Sequence, residues 1–598
     1  MLYKLKNNII SKYLEPIIYS YKLMKDISFS FMLIRIVCSL LIAISSILNA
    51  FIDKIILNLL VENQIEIKIF GILCGCGLLI NLVVIILGYI DEYIEGLQDK
   101  KLEKYINELS IECSTKASIS IYDDKNFYDK LLLLQNGFRS LSVTFWKVLN
   151  GTSAVFSFII SLYMFINYNI FISICLIIIS LPYACIRNKF SKIFYINDIE
   201  QMNNERKMDY VVEISVNKEY SQLIRLYNLG KILKEKYKEN WEKVYDKYKY
   251  ISKKRKNKLI IFSFIPKIIL YINSLFLINQ ILSQKLSLGD YTFYVSLAIE
   301  ILSSINIMIN SFNNIYENRM ILYNLKEFKT MCNPDLDKGK KELTIIEKIE
   351  LQHVFFRYPN TNHYIFNDLN IKIEAGKKYC ILGVNGSGKS TLIKLLLRFY
   401  DVTEGNILIN GYDIKEYKIE SLREQFSVCF QNQKNFAFSL RDNIDLLHNS
   451  KTDENSLINL LKKCDINNIF EKEYEKDSNK YLDYSISKFF EENGFEMSGG
   501  ENQRVTIARA LYRDANILIL DEASASIDTK AEKKLLGIIE EFTKNKTLIY
   551  ITHHMYKLDF FDNIFVIDEG KIIESGTFYE LLKLDGKFKV LYKYNIEK

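Results

Sequence analysis

The sequence predicts an α-helical membrane domain followed by an α/β domain. Three observations predict this fold class. Six long apolar runs precede residue 313, the segment GVNGSGKST at 383–391 lies between a strand pattern and a helix pattern, and a second apolar strand pattern ends in two acids at 521–522. The first feature is typical of multi-pass membrane proteins, and the other two are typical of P-loop NTPase domains. The chain is therefore expected to join a membrane-embedded first half to a nucleotide-binding second half.

The six apolar runs have the length that a bilayer requires. A hydrocarbon core of about 30 Å needs about 20 helical residues at about 1.5 Å each. Six such runs with few charges would need too large a core in a soluble protein, so we interpret them as membrane spans. They are 31–52, 69–90, 143–166, 170–186, 259–282 and 291–312. We interpret these spans as lacking buried acids, which argues against a proton-coupled or strongly cation-selective pathway.

The connectors between the spans predict the orientation. If the N-terminus is cytoplasmic, the connectors 91–141 and 187–257 are cytoplasmic too, and they hold 7 and 18 Lys and Arg residues. The opposite connectors hold only Lys54, Lys68 and Lys285. This positive-inside asymmetry, together with the need for cytosolic nucleotide, predicts a multi-pass protein of the cell (plasma) membrane with both termini and the ATP-binding domain in the cytoplasm.

The two long connectors are rich in helix-forming residues, so we expect the spans to continue into the cytosol as helices. Each pair should end in a short crossing segment, near 119–131 and 216–229, where another domain can dock. Apolar residues at helical spacing near the N-terminus indicate either a helix in the membrane interface or a frayed soluble helix. The expected division is an N-terminal interfacial helix at 1–28, a transmembrane domain with six helices and two long cytosolic extensions at 29–325, a linker at 326–346 and a nucleotide-binding domain at 347–598.

Charge and cysteine content argue against other classes of protein. The net charge of +7 on 598 residues is modest, and the lysine-rich stretch at 231–256 also carries acids, as a solvated helix face does. Nucleic acid is therefore not expected as a partner. The ten cysteines are scattered, and the pair Cys74 and Cys76 lies in an apolar run without a nearby histidine or acid. Neither a disulfide framework nor a cysteine metal site is expected.

The segment KYCILGVNGSGKSTLIKLL at 378–396 predicts a phosphate-binding loop between a strand and a helix. Gly383, Gly386 and Gly388 let backbone N–H groups turn toward phosphate oxygens, and the start of the following helix attracts anions. Lys389 is expected on the β- and γ-phosphates, and the hydroxyl of Ser390 on Mg²⁺. The strand–loop–helix context makes a chance glycine-rich turn a poor alternative.

The segment NILILDEASASID at 516–528 predicts a buried parallel strand that ends in Asp521 and Glu522. Ligands bind at the carboxyl ends of strands in such sheets. We expect Asp521 to reach Mg²⁺ and Glu522 to act as general base on the attacking water. Paired acids on a solvated helix would instead be ordinary surface charge.

The segment EMSGGENQRVTIARAL at 496–511 predicts a second helix start that attracts phosphate, opened by Ser498, Gly499 and Gly500. One ATP needs only one phosphate cradle within its own domain. A second one in the same domain suggests that ATP is held between two copies, each of which lends this segment to the loop of the other. In isolation, Ser-Gly-Gly before a helix would be an ordinary cap.

The order of these motifs resembles the nucleotide-binding domain of an ABC transporter, with the helical signature subdomain of that family, over about 347–598. The family pattern includes Tyr358 in FFRYP, Gln431 in SVCFQNQ, the signature at 497–501, the D-loop around Ser526 and Asp528, and His553 in YITHH. Residues 1 to about 330 resemble the six-helix membrane domain of the exporter type, including LSLGDYTFY before the sixth span. The whole chain thus looks like an exporter-type half-transporter.

The resemblance implies roles residue by residue. Tyr358 would stack on adenine, and Gln431 would contact Mg²⁺ or water. Ser498 and Gly500 would hold the γ-phosphate of the opposite subunit, which His553 would orient. The nucleotide-binding set implied by the family is Tyr358, Gly383, Asn385, Gly386, Ser387, Gly388, Lys389, Ser390, Thr391, Ser498, Gly499, Gly500 and Asp528, with Glu522, His553 and Gln431 as catalytic residues and Ser390, Gln431 and Asp521 at the metal.

The signature reads MSGGE where the common form of the family is LSGGQ. We expect Met497 and Glu501 to be tolerated, because Ser498 and the two glycines form the cradle. The segment FFEENGFEMSGGENQR and the segment DDKNFYDKLLLLQ also resemble the subgroup of exporters associated with lantibiotics and other peptides.

The expected function is therefore ATP-driven export by alternating access of a dimer, with ATP and Mg²⁺ as cofactors. A homodimer is self-consistent, and a heterodimer with a related half-transporter stays open. A peptide is the preferred cargo, and a multidrug or lipid exporter or flippase is the alternative. An ATP-gated channel or membrane regulator would carry the same motifs, whereas a soluble ABC ATPase is opposed by the six spans.

Overall fold

The structure is a computed structural model that describes residues 9–61, 67–123, 125–166, 168–331, 339–359, 361–384, 386–431, 433–447, 454–466, 480–523, 529–553 and 555–596. Its packing divides the chain into two units. We call Met1–Thr115 with Asn126–Cys332 the membrane unit, and Lys116–Lys125 with Asn333–Lys598 the nucleotide unit. The nucleotide unit therefore includes a short segment that lies between two membrane spans in sequence.

The first part of the chain is built from long helices. They are α1 (Ile9–Val61), α2 (Ile67–Lys116), α3 (Lys125–Ile166), α4 (Ile170–Val216), α5 (Lys218–Leu226), α6 (Gly230–Leu282) and α7 (Leu288–Met331). Within the described residues, six helices are long and apolar enough to cross a membrane, and each contains one predicted span. This confirms the six spans.

Several helices extend well beyond the predicted spans. Helix α4 continues through Pro182 to Val216, and α6 begins at Gly230 and contains Pro266. Helix α1 joins the predicted N-terminal helix to the first span, with one extended residue at Ser28 (φ −165°, ψ 80°). A proline is tolerated inside such helices where neighbouring groups satisfy the freed carbonyl.

The LSLGDYTFY segment fixes the ends of the first and sixth spans against each other. The Gly289 N–H donates to Asn58 Oδ1 at 2.9 Å, and Lys54 pairs with Asp290 at 2.7 Å. A Cβ atom on Gly289 would lie 2.2 Å from the Lys54 carbonyl oxygen. Only glycine allows this approach of the two helices.

A charged cluster joins α1, α2 and α3 beside the predicted cytoplasmic ends of their spans. The Arg35 side chain is 3% exposed and donates to both oxygens of Asp91, with 2.7 Å from Nη2 to Oδ2. Its Nη2 also donates to Glu95 at 3.1 Å. The guanidinium lies over the Trp146 ring, 3.4 Å from its centroid. Arg35 therefore links three helices through its charge and its planar face.

The expectation that the spans lack buried acids is wrong. Glu300 lies near the middle of the span Leu288–Ile315 in α7, and its side chain is half-buried. Its carboxylate accepts a hydrogen bond from the Ser157 hydroxyl of α3. The high mean hydropathy of the surrounding run concealed this one acid.

The nucleotide unit contains two sheets. The strands are β1 (Lys348–Phe356), β2 (Phe366–Glu374), β3 (Lys378–Gly383), β4 (Glu404–Ile409), β5 (Tyr412–Asp413), β6 (Phe426–Cys429), β7 (Ile517–Asp521), β8 (Thr547–Ile551), β9 (Asn563–Asp568) and β10 (Lys571–Gly576). The antiparallel sheet has the order β2-β1-β4-β5, and the larger sheet has the order β10-β9-β3-β8-β7-β6. Strands β9, β3, β8, β7 and β6 are parallel, so their carboxyl ends meet at one edge.

Helices cover the larger sheet and fill two apolar cores beside it. They are α8 (Lys389–Leu396), α9 (Ile419–Glu424), α10 (Leu440–Ile444), α11 (Glu454–Lys463), α12 (Gly499–Tyr512), α13 (Thr529–Phe542), α14 (Phe578–Lys583) and α15 (Lys587–Ile596). Strands β7 and β8 are buried at every position. Such continuous apolar strands are expected for a parallel sheet covered on both faces.

Short helices lie at both predicted crossing segments. The first is a 3₁₀ helix at Ile119–Asp123, which packs within the nucleotide unit. There, the Tyr400 hydroxyl donates to Asp123 Oδ2 at 2.7 Å. Burial, together with this hydrogen bond, raises the pKa of Tyr400. The second is α5, which belongs to the membrane unit and has no buried residue.

We predict that Arg35→Ala lowers the stability of the membrane unit. The change leaves Asp91 and Glu95 without their partner, and breaking a buried ion pair costs about 3–5 kcal/mol. Because both carboxylates are partly exposed, the loss should fall at the low end of that range. Thermal unfolding of purified protein in detergent would measure it.

The matched control is Lys100→Gln, which removes the exposed Lys100–Glu103 pair. Such surface pairs contribute about 0–1 kcal/mol, so its unfolding temperature should match that of the wild type. Equal unfolding temperatures for Arg35→Ala and Lys100→Gln would contradict a structural role for the cluster.

Candidate functional site

The phosphate loop, residues 383–391, connects β3 to α8 at the carboxyl edge of the larger sheet. Gly386 and Gly388 have φ values of 84° and 101°, which residues with a Cβ atom rarely adopt. A Cβ atom on Gly388 would also lie 2.6 Å from the Phe366 ring. The loop therefore requires glycine for both its backbone conformation and its packing.

Lys389 is buried at the start of α8, where its ammonium group closes the phosphate loop. Its Nζ donates to the carbonyl oxygens of Gly383 at 2.9 Å and Val384 at 3.1 Å. Burial lowers the pKa of Lys389, while the nearby carboxylates of Glu522 and Asp521 act in the opposite direction. The ammonium thus lies where the oxygen atoms of an anion in the loop can replace the two carbonyl oxygens as its hydrogen-bond acceptors.

Asp521 ends β7 and is 2% exposed. Ser390 donates a hydrogen bond to its carboxylate, and burial raises the pKa of Asp521. Within the described residues, Asp521 Oδ1 has no hydrogen-bond partner, and neither has the buried hydroxyl of Ser387. Carboxylate and hydroxyl oxygens of this kind suit a small divalent cation that takes its remaining ligands from phosphate and water.

Glu522 directly follows Asp521, and its backbone conformation is strained. Its φ value is 48°, and its N–H donates to the Ile551 carbonyl oxygen at 2.9 Å. Non-glycine residues in this region cost about 1–3 kcal/mol and persist where surrounding bonds hold them. Gln431 Nε2 donates to Glu522 Oε2, and His553 Nδ1 lies 3.6 Å from Glu522 Oε1. The structure therefore brings Gln431 and His553, two of the predicted catalytic residues, to the carboxylate of the third, Glu522.

Tyr358 lies beside the helix that follows the phosphate loop. Its hydroxyl is 3.0 Å from Thr391 Oγ1 and 3.3 Å from Lys394 Nζ. Its ring packs edge-on against Phe356 and Tyr400, with centroid separations of 5.2 Å in both cases. One edge of the tyrosine faces a cavity of about 500 Å³ that Tyr400 also lines. An aromatic ring thus lies within reach of the loop.

The signature segment, residues 497–501, begins α12. Ser498 caps this helix, and Glu501 completes a capping box, with its carboxylate accepting from the Ser498 N–H at 2.8 Å. Ser498 is exposed, and in the described part of the chain no hydrogen bond joins it to the phosphate loop. Glutamate and glutamine both complete such a box. This gives a physical reason for Glu501 at this position.

Three residues of the predicted motifs lie outside the described residues: Asn385 in the phosphate loop, and Ser526 and Asp528 in the D-loop. Gly383 ends β3, where a Cβ atom would lie 2.5 Å from the Ile567 carbonyl oxygen. Gly499 and Gly500 form the first turn of α12.

A polar network that the sequence did not predict lies behind the signature segment. Arg509 Nη2 donates to Asn435 Oδ1 at 2.7 Å, and Asn435 Nδ2 donates to Asn502 Oδ1 at 3.0 Å. Asn502 Nδ2 then donates to the Met497 carbonyl oxygen at 3.1 Å. Asn435 follows Gln431 by four residues, so the network connects the Gln431 loop with the signature segment. The sequence feature that could have indicated this network is the spacing of Asn502 and Arg509 on one helix.

The comparisons with known proteins agree with this geometry. The family model described as ABC transporter matches residues 366–525. ATP-dependent lipid A-core flippases are similar in sequence: that of Yersinia pestis is 37% identical over 256 residues, 43% of this chain and 42% of the relative. That of Photobacterium profundum is 34% identical over 258 residues, 43% of each chain. The match thus spans less than half the length of these curated relatives.

A solved structure is similar over nearly the whole chain. A bacterial Atm1-family ABC exporter with ATP bound superposes with a TM-score of 0.79 at 19% identity. The similarity covers 94% of this chain and 98% of that chain. At this identity, it concerns the fold, and it confirms the predicted combination of a six-helix membrane domain with an α/β nucleotide-binding domain.

We predict that Glu501→Gln leaves the stability of the protein unchanged, whereas Glu501→Ala lowers it. The alanine variant loses the bond to the Ser498 N–H and keeps the rest of the cap, and lost caps cost about 0.5–2 kcal/mol. Thermal unfolding of the two variants would measure the difference. Equal losses in both would show that the carboxylate charge, rather than the capping box, matters at this position.

Proposed function

We propose that the chain is an ABC transporter half-transporter and an ATP-driven exporter that works as a dimer, because the ABC transporter family model matches residues 366–525 and the fold is similar to that of an ABC exporter. The observation that carries the proposal is the convergence of Lys389, Ser390, Asp521, Glu522 and Gln431 at the carboxyl edge of one parallel sheet. This edge is where open α/β sheets bind their ligands.

In the proposed site, the phosphate loop binds ATP, and Lys389 exchanges its bonds to Gly383 and Val384 for phosphate oxygens. Ser390, Asp521 and Gln431 would hold Mg²⁺, which supplies neutralising charge on the β- and γ-phosphates when bound. The unpartnered Oδ1 of Asp521 supports this assignment. Tyr358, beside Thr391, would pack on the adenine ring.

Glu522 is proposed as the general base. Gln431 and His553 contact one carboxylate oxygen each, which limits the rotation of the side chain. The positive φ value directs the backbone out of β7 directly after Asp521. Glu522 would accept a proton from the attacking water while its neighbours hold its position.

The signature segment supports a dimer. Ser498 is exposed, and within the described residues it forms no hydrogen bond with the phosphate loop of its own chain. The N-terminal end of α12 is positively polarised and attracts anions. We propose that Ser498 and Gly500 of one copy bind the γ-phosphate held by the other, with Asp528 and Asn385 completing each site. A second copy of this chain suffices, and a related half-transporter would fit the same arrangement.

The proposed cargo is an amphiphilic lipid. The sequence-based preference for a peptide has no support from the relatives, whose names as lipid A-core flippases favour the lipid alternative. Six spans return the chain to its starting side, so both termini and the nucleotide unit are proposed to lie in the cytoplasm of the cell membrane. The division into the ranges 1–28, 29–325, 326–346 and 347–598 is kept as part of this proposal.

We predict that Glu522→Gln abolishes turnover and retains ATP binding. Loss of a general base typically costs about 10²–10⁴-fold in rate, while glutamine keeps the shape and the hydrogen-bonding length of the side chain. ATP hydrolysis and nucleotide retention by protein in lipid nanodiscs would measure the two properties.

The matched control is Glu541→Gln on α13, which removes an exposed carboxylate paired with Lys463. It should hydrolyse ATP at the wild-type rate. Normal turnover in Glu522→Gln would refute the role of Glu522.

We predict that Tyr400→Phe reduces the stimulation of ATP hydrolysis by cargo lipid. The variant keeps the ring and removes the hydrogen bond to Asp123, and bonds to charged groups contribute about 1.5–3 kcal/mol. Because Asp123 lies in the segment between α2 and α3, its attachment offers a path from membrane spans to the nucleotide unit. The measurement is the ratio of lipid-stimulated to basal hydrolysis.

The partner variant Asp123→Asn weakens the same bond and should lower that ratio in the same direction. An exposed tyrosine elsewhere in the unit, Tyr579, provides the control Tyr579→Phe. An unchanged ratio in both Tyr400→Phe and Asp123→Asn would exclude this path.

A further inference from the structure

We propose that Glu300 binds a positively charged group, such as an ammonium, on the head of the transported amphiphile. This inference rests on the proposed export function and specifies the chemistry of its cargo. The residue lies outside the nucleotide site, and none of the motifs described above includes it.

The first observation is the depth of Glu300. It lies near the middle of the span Leu288–Ile315, with part of its side chain still accessible. A charged side chain at the centre of a membrane helix is energetically costly to insert. Acids at such positions usually face the interior of a helix bundle or a water-filled cavity, where they contribute to function.

The second observation is the missing counterion. Among the described residues, the one polar partner of the Glu300 carboxylate is the Ser157 hydroxyl. Two charges near the ends of the spans are paired, Arg35 with Asp91 and Lys54 with Asp290. Glu300, by contrast, has no cationic partner among the described residues.

Lys267 in α6 is a second charge within the spans. Its side chain is exposed, and it forms no ion pair with Glu300 in the described part of the chain. A positive charge on the cargo would supply the neutralisation that the protein does not provide.

The third observation is a polar surface around Glu300. Ser296, Ser303 and Ser304 lie on its side of α7, because residues three and four apart share a helix face. On α3, Ser161 lies one turn from Ser157 and is fully buried, with no hydrogen-bond partner for its hydroxyl among the described residues. The oxygen atoms of these hydroxyl groups can turn their negative dipole ends toward a cationic head group that Glu300 holds by charge.

A purely structural role is the competing explanation. Polar side chains also join membrane helices by hydrogen bonds, each of which stabilises the packing modestly. The Ser157–Glu300 bond would serve that purpose, but a glutamine would serve it equally well. The negative charge, rather than the hydrogen bond, is therefore the property that the test must remove.

The experiment uses the full-length protein in proteoliposomes of neutral phosphatidylcholine. Three probe lipids share the same fluorescent acyl chains and carry a trimethylammonium, a hydroxyl or a phosphate head group. Stimulation of ATP hydrolysis gives the half-maximal concentration of each probe, relative to the basal rate of each variant. ATP-dependent movement of each probe between leaflets is measured in parallel.

The wild type should respond to the trimethylammonium probe at about tenfold lower concentration than to the hydroxyl probe, which corresponds to about 1.4 kcal/mol. Glu300→Gln should abolish this difference, and Glu300→Asp should retain part of it. Ser157→Ala, which keeps the charge, and Lys267→Gln, the matched control for a membrane charge, should both retain the preference.

Three results would overturn the assignment: a wild type without preference for the cationic head group, an unchanged preference in Glu300→Gln, or loss of the preference in Lys267→Gln. The export function is judged separately. If the wild type moves any of the probes in an ATP-dependent manner and Glu522→Gln does not, export stands even where the assignment of Glu300 fails.

Discussion

The hydrogen bond from the Glu522 N–H to the Ile551 carbonyl oxygen is the constraint on which the nucleotide site depends. It extends the pairing of β7 with β8 by one residue beyond Asp521 and holds the backbone of Glu522 at a positive φ. Both strands are buried along their whole length, so neither can shift without disturbing the core. The position of the two acids is therefore set by sheet packing rather than by their own loop.

The membrane unit also depends on specific contacts, and there charges, rather than apolar contacts, hold the helix ends in position. Lipid tails are as apolar as the helices, so the hydrophobic effect does not drive helices together in a membrane. Small residues and polar bonds therefore contribute to the specificity of helix packing. Gly289 against Lys54 and Arg35 against Asp91 are examples at opposite ends of the first span. Glu300 differs from them, because its negative charge has no such partner within the described chain.

Much of the fold could be predicted from the sequence, because its strongest signals are local. A run of apolar residues predicts a span by length alone. The segment GVNGSGKST after a strand predicts the backbone conformation of a phosphate loop. The cap at Ser498 was also anticipated, although its completion by Glu501 was not. The sequence did not predict hydrogen bonds between distant segments, because these bonds depend on how the chain folds back. Examples are the bonds of Arg509 with Asn435 and of Tyr400 with Asp123. Glu300 was missed for a different reason, since averaging over an apolar run hides one acid. The sequence contains no comparable local pattern that identifies the cargo.

The segment Lys116–Lys125 has a consequence for the order of assembly. It is made before the last four spans, yet it packs with residues such as Tyr400, which is 277 positions further along the chain than Asp123. A ribosome adds about 5–20 residues per second, so this segment waits at least ten seconds or so for its partner surface. During that interval, Asp123 has no Tyr400 hydroxyl from which to accept a hydrogen bond. The contact between this segment and the rest of the nucleotide unit therefore forms only after the last four spans have been made.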